Sequence, residues 1–152
     1  MNYKLVFSIE IFAFLLISFM AVAIEGKAGG LFGRNVAYGV SADAWLLLAI
    51  ALFISIPITI KGFDSKLIGT LLVGAFVGGI LEDFFWFVIN PYFGLNRFNP
   101  EYATWLSWSD LGFKIPTFYL VYSVLTAVAW FLFIKNSSKV NHWYKLTFKK
   151  NH

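Results

Sequence analysis

The sequence predicts an all-α integral membrane four-helix bundle with both termini cytoplasmic, and three observations lead there. Of 152 residues, 59% are hydrophobic and only 13% charged, against roughly 25% charge in an average soluble domain. A water-exposed globule of that composition would display aggregating apolar patches. Four stretches, about 5–24, 44–60, 67–89 and 115–134, are long and apolar enough to cross a core of roughly 30 Å as helices. Helices are required because lipid offers backbone polar groups no other partner. Basic residues divide unevenly, with Lys4, Lys61, Lys66, Lys135, Lys139, Lys145, Lys149 and Lys150 on one side and Lys27, Arg34, Arg97 and Lys114 on the other. Positive-inside bias makes the lysine-rich side cytoplasmic, in a protein expected in a plasma membrane. Residues 1–134 then form the four-span domain and 135–152 a basic tail.

Taken in order, the first span resembles a signal peptide at Ala21-Val22-Ala23, but Glu10 interrupts its apolar run and favours a retained helix. The first outward loop, Glu25 to Ala42, holds five glycines with Lys27 and Arg34, a flexible connection or an anion-holding backbone nest. Ser41 can cap the second helix, with Asp43 in its first turn, and Pro57 should kink or end that helix early. In the second outward loop, Asn99-Pro100-Glu101 predicts a short interfacial helix to about Trp108, with Tyr102, Trp105 and Leu106 on one face. Pro116 stands where the last span starts. The tail carries Val140, Trp143, Tyr144 and Phe148 at helical spacing among lysines, an amphipathic element suited to anionic membrane lipid.

The third span carries the strongest functional signal. On a helical wheel Gly74, Ala75, Gly78, Gly79, Glu82, Asp83, Trp86 and Asn90 share one half, opposite a bulky, lipid-facing half of Phe76, Val77, Ile80, Leu81, Phe84, Phe87 and Val88. Small residues mark close helix contact, within the chain or in a homo-oligomer through Gly74, Gly78, Ala75 and Gly79. Glu82 and Asp83 therefore face protein as a candidate acid/base pair, because an isolated carboxylate in lipid costs at least a few kcal/mol. A proton, a basic partner such as Arg34, Arg97 or Lys114, a divalent cation or an aqueous cavity would offset that cost. Binding candidates around the pair are Trp86, Asn90, Glu25, Asp43, Arg34 and Arg97, with Glu101, Trp105, Trp108 and Asp110 as an aromatic belt or a lid over it. Glu10, roughly 13 Å away in depth, is a second station or a carboxyl bonded to Lys61, serine or tyrosine.

Cysteine is absent and the two histidines, His142 and His152, lie in the tail, which excludes thiolate chemistry and disfavours a histidine triad or metal site among the spans. The cationic stretch is short and calls for no nucleic acid. Four spans with an acidic pair resemble lipoprotein signal peptidases, for which Asp83 and Asp110 would be the aspartates, but that family's asparagine-glycine and glycine-asparagine-aspartate-arginine motifs are missing. Gly69-Thr70-Leu71-Leu72-Val73 is similar to a run in fluoride channels, and Glu10 to the first-helix glutamate of small multidrug transporters, each without further agreement. Fold-level likeness assigns no function. The acids favour proton- or cation-coupled transport; the alternatives are a membrane enzyme acting on a lipid or apolar substrate, and a structural or accessory subunit.

Overall fold

The computed structural model describes residues 2–25 and 55–148, the side chains at 24 and 25 excepted. The chain is mostly helical. Helix α1 spans Tyr3–Glu25, α2 Ser65–Ile89, α3 Thr117–Ala129 with a π-helical continuation Trp130–Lys135, and α4 Ser137–Phe148. Three stretches, Tyr3–Ala23, Ser65–Ile89 and Thr117–Lys135, are long and apolar enough to cross a membrane, which makes this a membrane protein. Their outward apolar side chains, among them Phe12, Phe19, Val124 and Val128, are exposed on the surface of the bundle. The expected span 44–60 falls mostly outside the described residues. Its end is helical over 55–61, so the helix does not end at Pro57, while the preceding turn, where a kink would act, lies outside the described residues.

Packing is set by the small face of α2. The stripe Gly74, Gly78, Glu82 lies under α1, where Glu10, Phe14 and Ser18 repeat every four residues on one face. A Cβ at Gly74 would run into the Glu10 carboxyl, and one at Gly78 into the Phe14 ring, so glycine is what lets the two helices approach. Contacts advance in the same sense along both helices, hence α1 and α2 are parallel. Tyr122 of α3 covers Gly79 from another side. The glycines thus serve contacts inside the chain.

At the lower end of α2, Ser65 Oγ donates to the Phe133 carbonyl, 2.9 Å away in the π-helical turn. Its backbone N–H meets Asn141 Oδ1 at 2.9 Å, which ties α4 to the bundle. A wider i→i+5 turn leaves carbonyls open to such outside donors. Asp64 caps α2 by accepting from Lys66 N.

The second loop corrects the sequence reading. Asn99 does accept from Glu101 N and Tyr102 N, but only one turn forms, not a helix to Trp108. The Ala103 carbonyl, which would continue it, accepts instead from Leu106 N and from Trp108 Nε1 at 3.1 Å. A small antiparallel hairpin follows, β1 Trp108–Asp110 with β2 Lys114–Pro116, so the fold is not purely α. Gly112, at φ 85°, makes its turn, and its N–H is taken by Asp110 Oδ1. Pro116 then opens α3 as expected.

Candidate functional site: the acids between the helices

Three acidic side chains sit between packed helices, at two levels. Glu10 is 3% exposed, walled in beside Gly74, and neither of its oxygens has a hydrogen-bond partner among the described residues. The expected partners are elsewhere: Lys61 pairs with Asp64 at 2.9 Å and donates to the Tyr3 hydroxyl, and Ser18 donates to the Glu82 carbonyl at 2.9 Å. Glu82 lies eight residues up α2 from Gly74, a rise of about 12 Å. Phe14, seated on Gly78, fills the space between the two levels.

Glu82 is 5% exposed on the stripe that α1 covers, whereas Asp83, turned by about 100° on the helix, accepts from the Tyr119 hydroxyl of α3 at 2.8 Å. Neighbours in sequence therefore address different helices. Tyr119 escaped the sequence reading; the available signal was a tyrosine in the first turn of an otherwise apolar span, which needs a polar partner there. Phe14 and Ser18 were equally legible in principle, being one and two turns above Glu10 on the same face.

Above the acids stands an aromatic cap. Trp86 and Phe87, buried at 3% and 0% exposure, meet Phe93, Phe98 and Trp105, with Phe87 and Trp105 stacked at 6.2 Å between centroids. Phe87, assigned to the lipid side by the wheel, is thus a core residue. Its companions come from the loop between α2 and α3, which a helical wheel does not contain. Asn90 ends α2 and turns the chain back: its Oδ1 accepts from Tyr92 N at 2.9 Å and its carbonyl from Phe93 N and Gly94 N. Asn90 Nδ2 and Trp86 Nε1 are buried without a partner among the described residues.

The remaining candidates disperse. Trp105 reaches the cap, and Trp108 packs on Phe98 at 5.3 Å. Glu101 and Asp110 are exposed, and Asp110 is bonded to Lys114, which with Gly112 N–H holds that carboxyl below its ordinary range. Arg97 donates to the Tyr92 carbonyl and lies over the Phe93 and Tyr102 rings. Neither Arg97 nor Lys114 therefore serves the acidic pair. Arg34 and Asp43 lie outside the described residues with the glycine-rich loop and Ser41, and Glu25 closes α1. Among the described residues no three acidic, histidine or cysteine side chains gather to hold a metal ion. No family model, curated protein or solved structure matches the chain.

Proposed function

We propose that the chain is a four-span membrane protein of a plasma membrane, both termini cytoplasmic, whose intramembrane carboxyls bind a proton or cation in the course of transport. A fourth crossing is supported by direction: α1 and α2 run parallel, so the chain must return between Glu25 and Asp64, and the apolar stretch 44–60 is long enough to do it. The orientation is supported by Lys61, Lys66 and Lys145, which meet at the end where α1 and α2 begin.

The observation that carries the reading is Glu10, enclosed with both oxygens unpartnered among the described residues at a depth where a bare charge costs at least a few kcal/mol. The carboxyl can reside there only as the neutral acid or beside a counter-ion, and taking up and releasing one of these is the chemistry of a coupling site. Glu82 and Asp83 form the outer station, and Phe14 separates the two. A proton is favoured over a divalent cation by spacing, since about 12 Å between stations exceeds what one ion's ligand shell spans.

Liposomes loaded with a pH-sensitive dye and placed under an imposed potassium diffusion potential test this. Wild type should pass protons faster than empty liposomes, and Glu10→Gln, which keeps shape and folding, should cut the flux at least tenfold. Equal flux in the variant, or none in wild type, overturns the reading. The hydrogen bond from Tyr119 to Asp83 beneath an aromatic cap favours a second reading, a membrane enzyme acting on a lipid or apolar substrate. Product formation in gradient-free micelles would decide for it.

A further inference from the structure

The lysine-rich end of the bundle contains a cleft of about 400 Å³ that the acids do not use. Tyr3 of α1, Lys61 at the end of the helical stretch 55–61, Asp64 of the turn before α2, Lys66 of its first turn, and Asn141 and Lys145 of α4 line it. On α4 these positions belong to one stripe, Ser137, Asn141, Tyr144 and Lys145, at the i, i+4, i+7, i+8 spacing of a single helix face. Two contacts fix that stripe over the cleft. Asn141 Oδ1 is bonded to Ser65 N, and the Tyr144 ring stacks on Phe63 at 4.0 Å and 13°. The cleft is therefore a built feature of four chain segments.

Charge inside it is unbalanced. Asp64 is satisfied locally, accepting from the Tyr3 hydroxyl at 2.7 Å, from Lys61 Nζ at 2.9 Å and from Lys66 N at 3.0 Å. Lys66 and Lys145 have no carboxylate partner among the described residues, so three ammonium groups face one carboxylate and two positive charges remain over. Lys66 lies 5.7 Å from the Tyr3 ring, which holds it at the cleft rather than letting it extend away. Asn141, with its Oδ1 engaged on Ser65, keeps an amide N–H₂ to offer, and Ser137 and Tyr144 add hydroxyls. Cations surrounded by neutral donors are the donor set of a phosphate site.

Depth selects the source. Tyr3 and Lys66 stand in the first turns of helices whose apolar spans begin at Tyr3 and Ser65, which puts the cleft level with the headgroups of the lysine-rich leaflet. We propose that this cleft binds a phosphate-bearing anion, in the membrane the headgroup of an anionic phospholipid. The site rests on the span assignment alone and not on proton coupling, so Glu10→Gln should leave it unchanged.

Native mass spectrometry of the full chain in neutral detergent, titrated with phosphatidylglycerol or phosphatidylcholine, tests it. Wild type should retain one phosphatidylglycerol in preference to phosphatidylcholine. At about 1 kcal/mol per lysine near a membrane surface, the double variant Lys66→Gln/Lys145→Gln should lose about thirtyfold in affinity. Lys135→Gln/Lys139→Gln removes the same charge at the same end outside the cleft, and should lose at most threefold. A parallel arm adds inorganic phosphate or glycerol 3-phosphate and reads the unfolding temperature: a shift abolished by the cleft variant, with no lipid retained, assigns the same site to a soluble phosphate compound. Equal losses in the two double variants, or no preference over phosphatidylcholine together with no phosphate shift, overturns the proposal.

Discussion

Between Gly74 and Glu82, α2 meets α1 through missing side chains; one turn further, at Trp86 and Phe87, the same helix meets its surroundings through the largest ones. The lower region interlocks a single ring, Phe14, and the rest of what it encloses is polar: Glu10, Ser18 and Glu82. The upper region is an aromatic cluster closed by Phe93, Phe98 and Trp105 from the outer loop. Without water to drive apolar surfaces together inside a bilayer, close approach and polar bonds hold helices to each other. The cap stands where the chain leaves the bilayer, and there burial of rings from water contributes again. Stability should therefore concentrate in the cap and functional sensitivity in the glycine stripe.

The cap should be most sensitive at Phe87, which is fully buried and touches Phe98 at 4.9 Å between ring centroids. Phe87→Ala is expected to cost about 3–5 kcal/mol, the usual range for deleting a buried aromatic ring. Thermal unfolding in one detergent, followed by tryptophan emission, measures it. A cost no larger than that of an exposed control such as Val124→Ala would mean that the cap does not stabilise the bundle.

The glycine stripe allows a finer distinction. Alanine in a helix gains up to about 1 kcal/mol over glycine, so any loss must come from the neighbour across the interface. At Gly78 that neighbour is the Phe14 ring, which cannot fold away, and overpacking costs about 1–3 kcal/mol. At Gly74 it is the far end of the Glu10 side chain, which can swing. Gly78→Ala is therefore expected to lower stability by up to about 2 kcal/mol, and Gly74→Ala to be close to neutral. The reverse order in the same unfolding assay would show that Glu10 is held more rigidly than Phe14.

How much of this was readable beforehand follows the range of the interactions. Spacing along one helix is local, so the spans at 5–24, 67–89 and 115–134 and the small face of α2 could be read directly from apolar runs and 100° steps. The buried position of Glu82 followed from that same face. Tyr119 on Asp83 could not, since it joins residues 36 apart in sequence. Nor could the fate of the outer loop: Asn99-Pro100-Glu101 is a sound helix start, and it was overridden by Trp105 and Trp108 seeking partners on α2 and within the loop. Phe87 was misassigned for the same reason, because the rings that bury it come from a segment with no helical period. The cleft at the lysine end depends on α4 folding back, which charge counting along the chain does not encode.

The smallest expected effect belongs to that end, at Asp64. Burial raises its carboxyl, but the bonds from Tyr3 and Lys61 outweigh burial and hold it below the ordinary value of 3.8. A carboxyl depressed on folding favours the native state while it is ionised, so its contribution is complete above about pH 4 and is lost as the pH falls through the lower folded value. Asp64 is part-buried, its side chain 16% exposed, but its partner Lys61 is open to solvent, and screening keeps the effect to about 1 kcal/mol or less. Hydrogen exchange of the first turn of α1 and the first turn of α2, corrected for intrinsic rates, should lose protection between pH 5 and pH 2. Asp64→Asn should show the lower protection at both values, while the middle of α2, packed on α1 far from any group that titrates near the surface, holds steady. Unchanged protection at both ends of that range would mean that the Tyr3–Asp64–Lys61 cluster follows the helix packing and does not help to fix it.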